Sequence, residues 1–98
     1  MKNPDALPPG EILRRNFMAP LGLTVHQLAR DLHVPASQLG EVVNGRRPLK
    51  ADLALRLGRY FGVNPETWLT LQASYELRMA ERELGEKIEQ LIMPLEAA

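Results

Sequence analysis

A chain of 98 residues is enough for one hydrophobic core and short for two. Hydrophobic residues make up 45% and charged residues 24%, which excludes wholesale disorder. Twelve basic side chains balance twelve acidic ones, so a globally basic nucleic-acid binder is excluded and any such activity must rest on a local patch. The sequence contains no cysteine, which removes disulfides, thiolate catalysis and Cys-based metal centres and suits a cytoplasmic protein. MKNPDALPPG lacks the apolar core of a signal peptide, and no segment nears the ~18 apolar residues of a membrane span.

Along the chain, helix punctuation is dense and strand patterning absent. Pro4, Pro8, Pro9 and Gly10 mark residues 1–9 as an extended arm. Glu11 to Met18 read as a short helix ending before Pro20, with Ile12 near Arg15 and Leu13 near Phe17. Thr24 caps a helix carrying Val25, Leu28, Ala29 and Leu32 on one stripe. After a break at His33 and Val34, Pro35 opens another helix, which buries Leu39, Val42 and Val43 and stops at a left-handed turn at Asn44-Gly45. Arg46-Arg47-Pro48 lead to a helix over 50–61 with Leu53, Leu57 and Phe61 four apart, closed by Gly62. Asn64 and Pro65 then start a helix over 65–92, ~42 Å long and ended by Pro94. The chain is read as all-α, with Leu28, Leu32, Leu39, Val43, Leu53, Leu57, Phe61 and Trp68 in one core.

Charge is uneven. Residues 24–59 carry six basic and three acidic side chains, whereas 68–98 carry three basic and six acidic. Residues 24–44 have the spacing of a helix-turn-helix, whose second helix enters the major groove. Ser37, Gln38 and Glu41 lie opposite the buried side of that helix. Gln suits adenine, Ser reaches base edges or phosphate, and Glu accepts from cytosine. Arg46 and Arg47 follow at once, placed for phosphates. A generic pair of core helices with solvated faces has the same spacing, so the pattern alone leaves both readings open.

The run from Thr24 to Ala80 resembles the helix-turn-helix domain of the lambda-repressor-like class. Within that class it resembles the HigA/VapI-type antitoxins of toxin–antitoxin modules. The residues that carry the resemblance are Pro9-Gly10-Glu11-Ile12-Leu13, Pro20-Leu21-Gly22-Leu23 and Val42-Val43-Asn44-Gly45-Arg46-Arg47. Further along they are Ala54-Leu55-Arg56-Leu57, Pro65-Glu66-Thr67-Trp68-Leu69-Thr70-Leu71-Gln72 and Tyr75-Glu76-Leu77. The resemblance covers about residues 9–80. It implies a five-helix domain that dimerises, represses its own operon and neutralises a HigB-type, ribosome-dependent mRNA-cleaving toxin. Thr24 and Asn44 match positions that cap helices and touch phosphates, and Ala36, Ser37, Gln38 and Glu41 match the outward positions of the recognition helix. Gln27 joins these as a candidate DNA contact. Val25 stands where many of the class place a bracing Gln. His33 stands where a Gly usually turns the chain, so it is expected at positive φ.

The organisation expected is an arm over 1–9, a DNA-binding domain over 10–75 and a C-terminal helix extension over 76–98. The expected partners are palindromic or pseudo-palindromic operator DNA, a cognate toxin and a second copy of the chain, with no membrane. Leu77, Leu84, Ile88, Leu91 and Leu95 have the spacing of a coiled-coil seam, interrupted by Glu81 and Pro94, and are the candidate dimer contacts. Packing of the same residues onto their own domain is the competing reading. For the toxin, the arm and first helix near Glu11, Arg14 and Arg15 rank ahead of the acidic C-terminal face.

Other chemistry finds little support. His26 and His33 are seven apart in different elements without a third ligand, so no metal or other cofactor is expected, and no catalytic constellation is visible. Trp68, Tyr75 and Met79 form a stripe read as core, with Trp68 packing on the first and fourth helices. Two alternatives remain: a helix-turn-helix regulator without a toxin partner, and a protein-interaction module using the fold only as scaffold.

Overall fold

The computed structural model describes residues 7–96. Among these, five helices and no strand are present. Helix α1 runs over residues 9–21 in three stretches, Pro9–Leu13, a π-helical turn Arg14–Met18, and Ala19–Leu21. Then follow α2 (Val25–Leu32), α3 (Ala36–Val43), α4 (Ala51–Phe61) and α5 (Pro65–Leu91). The proposed arm is thus shorter than expected: Pro9 is already helical, and residues 1–6 lie outside the described residues.

The first helix does not stop before Pro20. The Ala19 N–H reaches the Arg14 carbonyl, a five-residue spacing that widens the turn. The widened turn makes room for the Pro20 ring, and Gly22 at φ +66° ends the helix. Pro35 also differs from expectation by one position. At φ −63° and ψ 137° it is the residue before α3, not its first member.

Thr24 starts α2 with a reciprocal cap. Its hydroxyl accepts from the Gln27 N–H at 3.1 Å, and the Gln27 side-chain oxygen accepts from the Thr24 N–H at 2.9 Å. Asn64 caps α5 by accepting from the Glu66 N–H at 2.9 Å. His33 turns the chain between α2 and α3 at φ +60°, as expected.

The core gathers Leu28, Leu32, Leu39, Val43, Leu53, Leu57 and Trp68 as expected. Phe61 is only half-buried, its ring 5.0 Å from Phe17 at the rim. Leu13 and Met18 from α1, Val42 from α3, and Leu49 from the α3–α4 loop complete the core. Trp68 lies beneath Phe17 with ring centroids 5.2 Å apart, closing α5 onto α1. The stripe after it fades: Tyr75 and Met79 are half-buried. Gly10 brings α1 directly onto the end of α3, where a Cβ would lie 1.9 Å from the Val42 carbonyl oxygen.

Past Gln72, α5 leaves the domain. Leu77, Leu84, Ile88 and Leu91 are 61%, 45%, 46% and 70% exposed, so they do not fold back onto their own domain. Leu95 lies beyond the end of the helix and is exposed. Among the described residues no helix is long and apolar enough to cross a membrane.

Candidate nucleic-acid interface

The amphipathic pattern of α3 sets the site. Leu39, Val42 and Val43 are buried, which turns Ser37, Gln38 and Glu41 outward, while Ala36 is half-buried against the core. The helix begins within a three-residue turn of α2, so α2 and α3 form the bihelical unit expected from the spacing.

Next to the outward row stands a basic loop. Asn44 ends α3, and Gly45 at φ +78° reverses the chain so that Arg46 and Arg47 emerge exposed beside Glu41. Leu49 anchors the loop in the core, and its N–H donates to the Gln72 side-chain oxygen at 2.9 Å. The Gln72 amide in turn donates to Glu76 at 2.8 Å. This tie between loop and α5 was not foreseen; neither residue has a local sequence signal for it.

The structure alters the roles open to two candidates. Arg47 donates through Nε to Glu41 Oε1 at 2.9 Å and approaches the same oxygen through Nη2 at 2.8 Å. Glu41 therefore keeps Oε2 as an acceptor, and the pair carries no net charge. Gln27 has its side-chain oxygen occupied in the cap, leaving its amide N–H groups to donate. Thr24 at the start of α2, Asn44 at the end of α3 and Arg46 in the following loop are all exposed.

Beneath the recognition helix opens a cleft of ≈ 350 Å³ lined by His33, Gln38, Arg47, Lys50 and Arg56, among others. Neither Lys50 nor Arg56 is among the DNA contacts expected from the sequence. Arg56 crosses to the end of α2, its Nη1 donating to the carbonyls of Leu32 at 2.8 Å and His33 at 3.2 Å. One turn on, the Tyr60 hydroxyl donates to Asp31 at 2.7 Å, which pushes the phenol pKa up. Away from this face, Glu11 accepts from Arg14 at 2.5 Å and Arg15 at 2.7 Å, and these bonds hold its carboxyl below the usual range. His26 lies on the exposed side of α2, and no group of described residues is arranged to hold a metal ion.

A family profile described as "Helix-turn-helix domain" matches residues 12–69. Virulence-associated protein I of Dichelobacter nodosus is 49% identical over 78 residues, spanning 80% of this chain and 72% of that protein. The structure of Pseudomonas aeruginosa antitoxin HigA with higBA promoter superimposes with a TM-score of 0.89 at 40% identity, over 92% of this chain and 98% of the other. Antitoxin GraA in complex with its operator matches with a TM-score of 0.89 at 37% identity, over 99% of both chains. With a helix-turn-helix profile matched over residues 12–69 and superposition on these antitoxins over 92% or more of this chain, the chain belongs to the HigA family of helix-turn-helix antitoxins.

Proposed function

We propose that this protein is a cytoplasmic antitoxin that binds operator DNA, represses its own operon and neutralises a cognate HigB-type mRNA-cleaving toxin. The observation that carries the reading is the outward row Ser37, Gln38 and Glu41, set beside Arg46 and Arg47 on a helix held rigidly by Leu39, Val42 and Val43. Side chains of this kind match the donors and acceptors of base edges, and the flanking guanidiniums match phosphates. The structures of antitoxin HigA with its promoter and of antitoxin GraA with its operator support DNA binding by this chain.

Roles follow from position. Ser37 and Gln38 read bases, with Glu41 accepting through its open oxygen and Ala36 meeting the groove by apolar contact. Thr24, Gln27, Asn44, Arg46 and Arg47 hold the phosphate backbone on either side. One unit reads only a few base pairs, so repression needs two copies about one helical turn, ~34 Å, apart on a palindromic or pseudo-palindromic operator. Leu77, Leu84, Ile88 and Leu91 supply the adhesive, since an exposed apolar row on a helix free of its own domain marks an interface. The division proposed for the chain is a DNA-binding domain over 10–75, which Pro9 joins as the first helical residue, and a dimerisation segment over 76–98, helical as far as Leu91.

Co-expression tests both halves. The reading frame next to this gene is induced alone and with the antitoxin, while a reporter follows the promoter. Growth arrest by the neighbour, relief by this chain and repression of the reporter are expected. A harmless neighbour would remove the toxin, and an unrepressed promoter would remove the operator.

A further inference from the structure

We propose that Arg56 is a positioning residue for DNA readout: from α4 it holds the turn that aims the recognition helix. The inference rests on the DNA-binding reading above and adds to it a residue that does not itself face the groove.

The turn between α2 and α3 has two weaknesses. His33 occupies the left-handed region at φ +60°, which a side chain with a Cβ disfavours. The last carbonyls of α2 also lack partners within the helix, and the end of the helix carries partial negative charge. Arg56 answers both. A single guanidinium nitrogen donates to the Leu32 and His33 carbonyls at 2.8 and 3.2 Å, fixing the peptide units on either side of the left-handed residue. Asp52, one turn back on α4, takes the Nε hydrogen at 2.5 Å and orients the guanidinium plane. Tyr60 adds a second tie from the same helix face, its hydroxyl on Asp31 at 2.7 Å.

The geometry connects this clamp to recognition. Only Val34 and Pro35 separate His33 from α3, and Arg56 lines the same cleft as Gln38. A rotation of the turn swings the N-terminal end of α3, where Ser37 and Gln38 stand, while the buried Leu39, Val42 and Val43 pin its other side. Loss of the clamp therefore degrades base readout before it degrades attraction to phosphates, which depends on charge more than on angle.

The test uses the full chain with two duplexes, one from the DNA immediately upstream of the operon that carries its reading frame and one with the same bases shuffled. Parent, Arg56→Ala, Arg56→Lys, His33→Gly and the Arg56→Ala/His33→Gly double variant are titrated at several salt concentrations, each at a temperature where circular dichroism shows it folded. Arg56→Ala is expected to lose tenfold or more on the upstream duplex and less than twofold on the shuffled one, with an unchanged salt slope. Arg56→Lys keeps the charge but not the planar fork and is expected to lose at least threefold on the upstream duplex alone. Glycine adopts the left-handed turn freely, so His33→Gly should restore threefold or more to Arg56→Ala. Equal losses on both duplexes with a salt slope lowered by about one would make Arg56 a phosphate contact and overturn the proposal. Unchanged affinity in Arg56→Ala and Arg56→Lys, or no recovery by His33→Gly, would overturn it too. A parent that binds the two duplexes alike would instead remove sequence-specific operator recognition, and the clamp's role with it; a parent that binds neither would remove the DNA-binding reading.

Discussion

Substituting alanine for Gly10 on α1 and for Gly40 on α3 asks the same chemical question in two different surroundings. Either change removes backbone freedom from the unfolded chain and favours the helix by ~1 kcal/mol. At Gly40, inside α3, the nearest atom to a new Cβ is Val25 Cγ1 at 3.9 Å, an ordinary contact. Gly40→Ala should therefore stabilise by ~0.5–1 kcal/mol. At Gly10 the same carbon would stand 1.9 Å from the Val42 carbonyl oxygen, 2.7 Å from its carbon and 2.8 Å from Val43 Cα. These are backbone atoms of a packed helix, and no rotamer change moves them. Helices α1 and α3 must separate by over an ångström, which opens the layer around Leu13 and Met18. Overpacking of this kind costs ~1–3 kcal/mol and outweighs the helical gain. In a domain of this size each kcal/mol moves the melting temperature by ~4–8 °C, so the two variants should diverge clearly from the parent in opposite directions. Thermal and urea melts followed by circular dichroism read the effect. A Gly10→Ala protein as stable as Gly40→Ala would show that α1 does not rest on the end of the recognition helix.

Leu57 is fully buried, so Leu57→Ala should cost ~2–5 kcal/mol in a urea melt, and parent-like stability would mean α4 is not packed as described. Gln38→Ala should lose ~1–3 kcal/mol on operator DNA with little change on random DNA, whereas Arg46→Ala should weaken both and lower the salt slope by about one. Operator binding untouched by either would move the recognition surface elsewhere. Replacing Leu84 and Ile88 together by Glu should give a folded monomer with weak, non-cooperative DNA binding, and an intact dimer in sedimentation would place the interface nearer Leu69 and Gln72. Reversing the charge of Arg14 and Arg15, both exposed on α1, should abolish toxin co-purification, while a chain ending at Ala80 keeps it; retention by both would clear both faces.

Local signals decided what was legible beforehand. Thr24, Gly45, Gly62 and Asn64 each mark a boundary by a physical requirement of their own position, and each stands where expected. Proline was the less dependable marker. Pro20 reads as a stop because its ring conflicts with an α-helical turn, yet a π-helical turn over Arg14–Met18 removes the conflict and the helix continues. Leu13, Met18 and Leu49 escaped the predicted core because burial of one or two residues from a short helix or a loop leaves no period to detect. The outward row of α3 was legible because its buried complement is periodic. The contacts of Arg56 with Leu32 and His33, Tyr60 with Asp31, and Gln72 with Leu49 join residues more than twenty positions apart, and no spacing announces them.

A neutral chain binding a polyanion requires that its two charges act at different places. Arg46 and Lys50 flank the recognition helix, whereas Glu81, Glu83, Glu86 and Glu89 lie on the projecting part of α5. The point where α5 comes nearest the basic loop is the cleft shared by Arg46, Gln72 and Glu76, and there Glu76 is engaged by the Gln72 amide. From Glu76 the helix climbs ~8 Å to Glu81 and ~20 Å to Glu89 at ~1.5 Å per residue, from one to more than two screening lengths of ~8 Å at physiological ionic strength. The acidic charge is therefore attenuated increasingly along the helix, and the field at the recognition helix is dominated by the basic loop. The same separation leaves the far end of the helix free to carry charge chosen for other contacts. Acidic residues between the apolar positions keep a long exposed row of Leu84, Ile88 and Leu91 soluble without weakening the attraction that brings the domain to DNA.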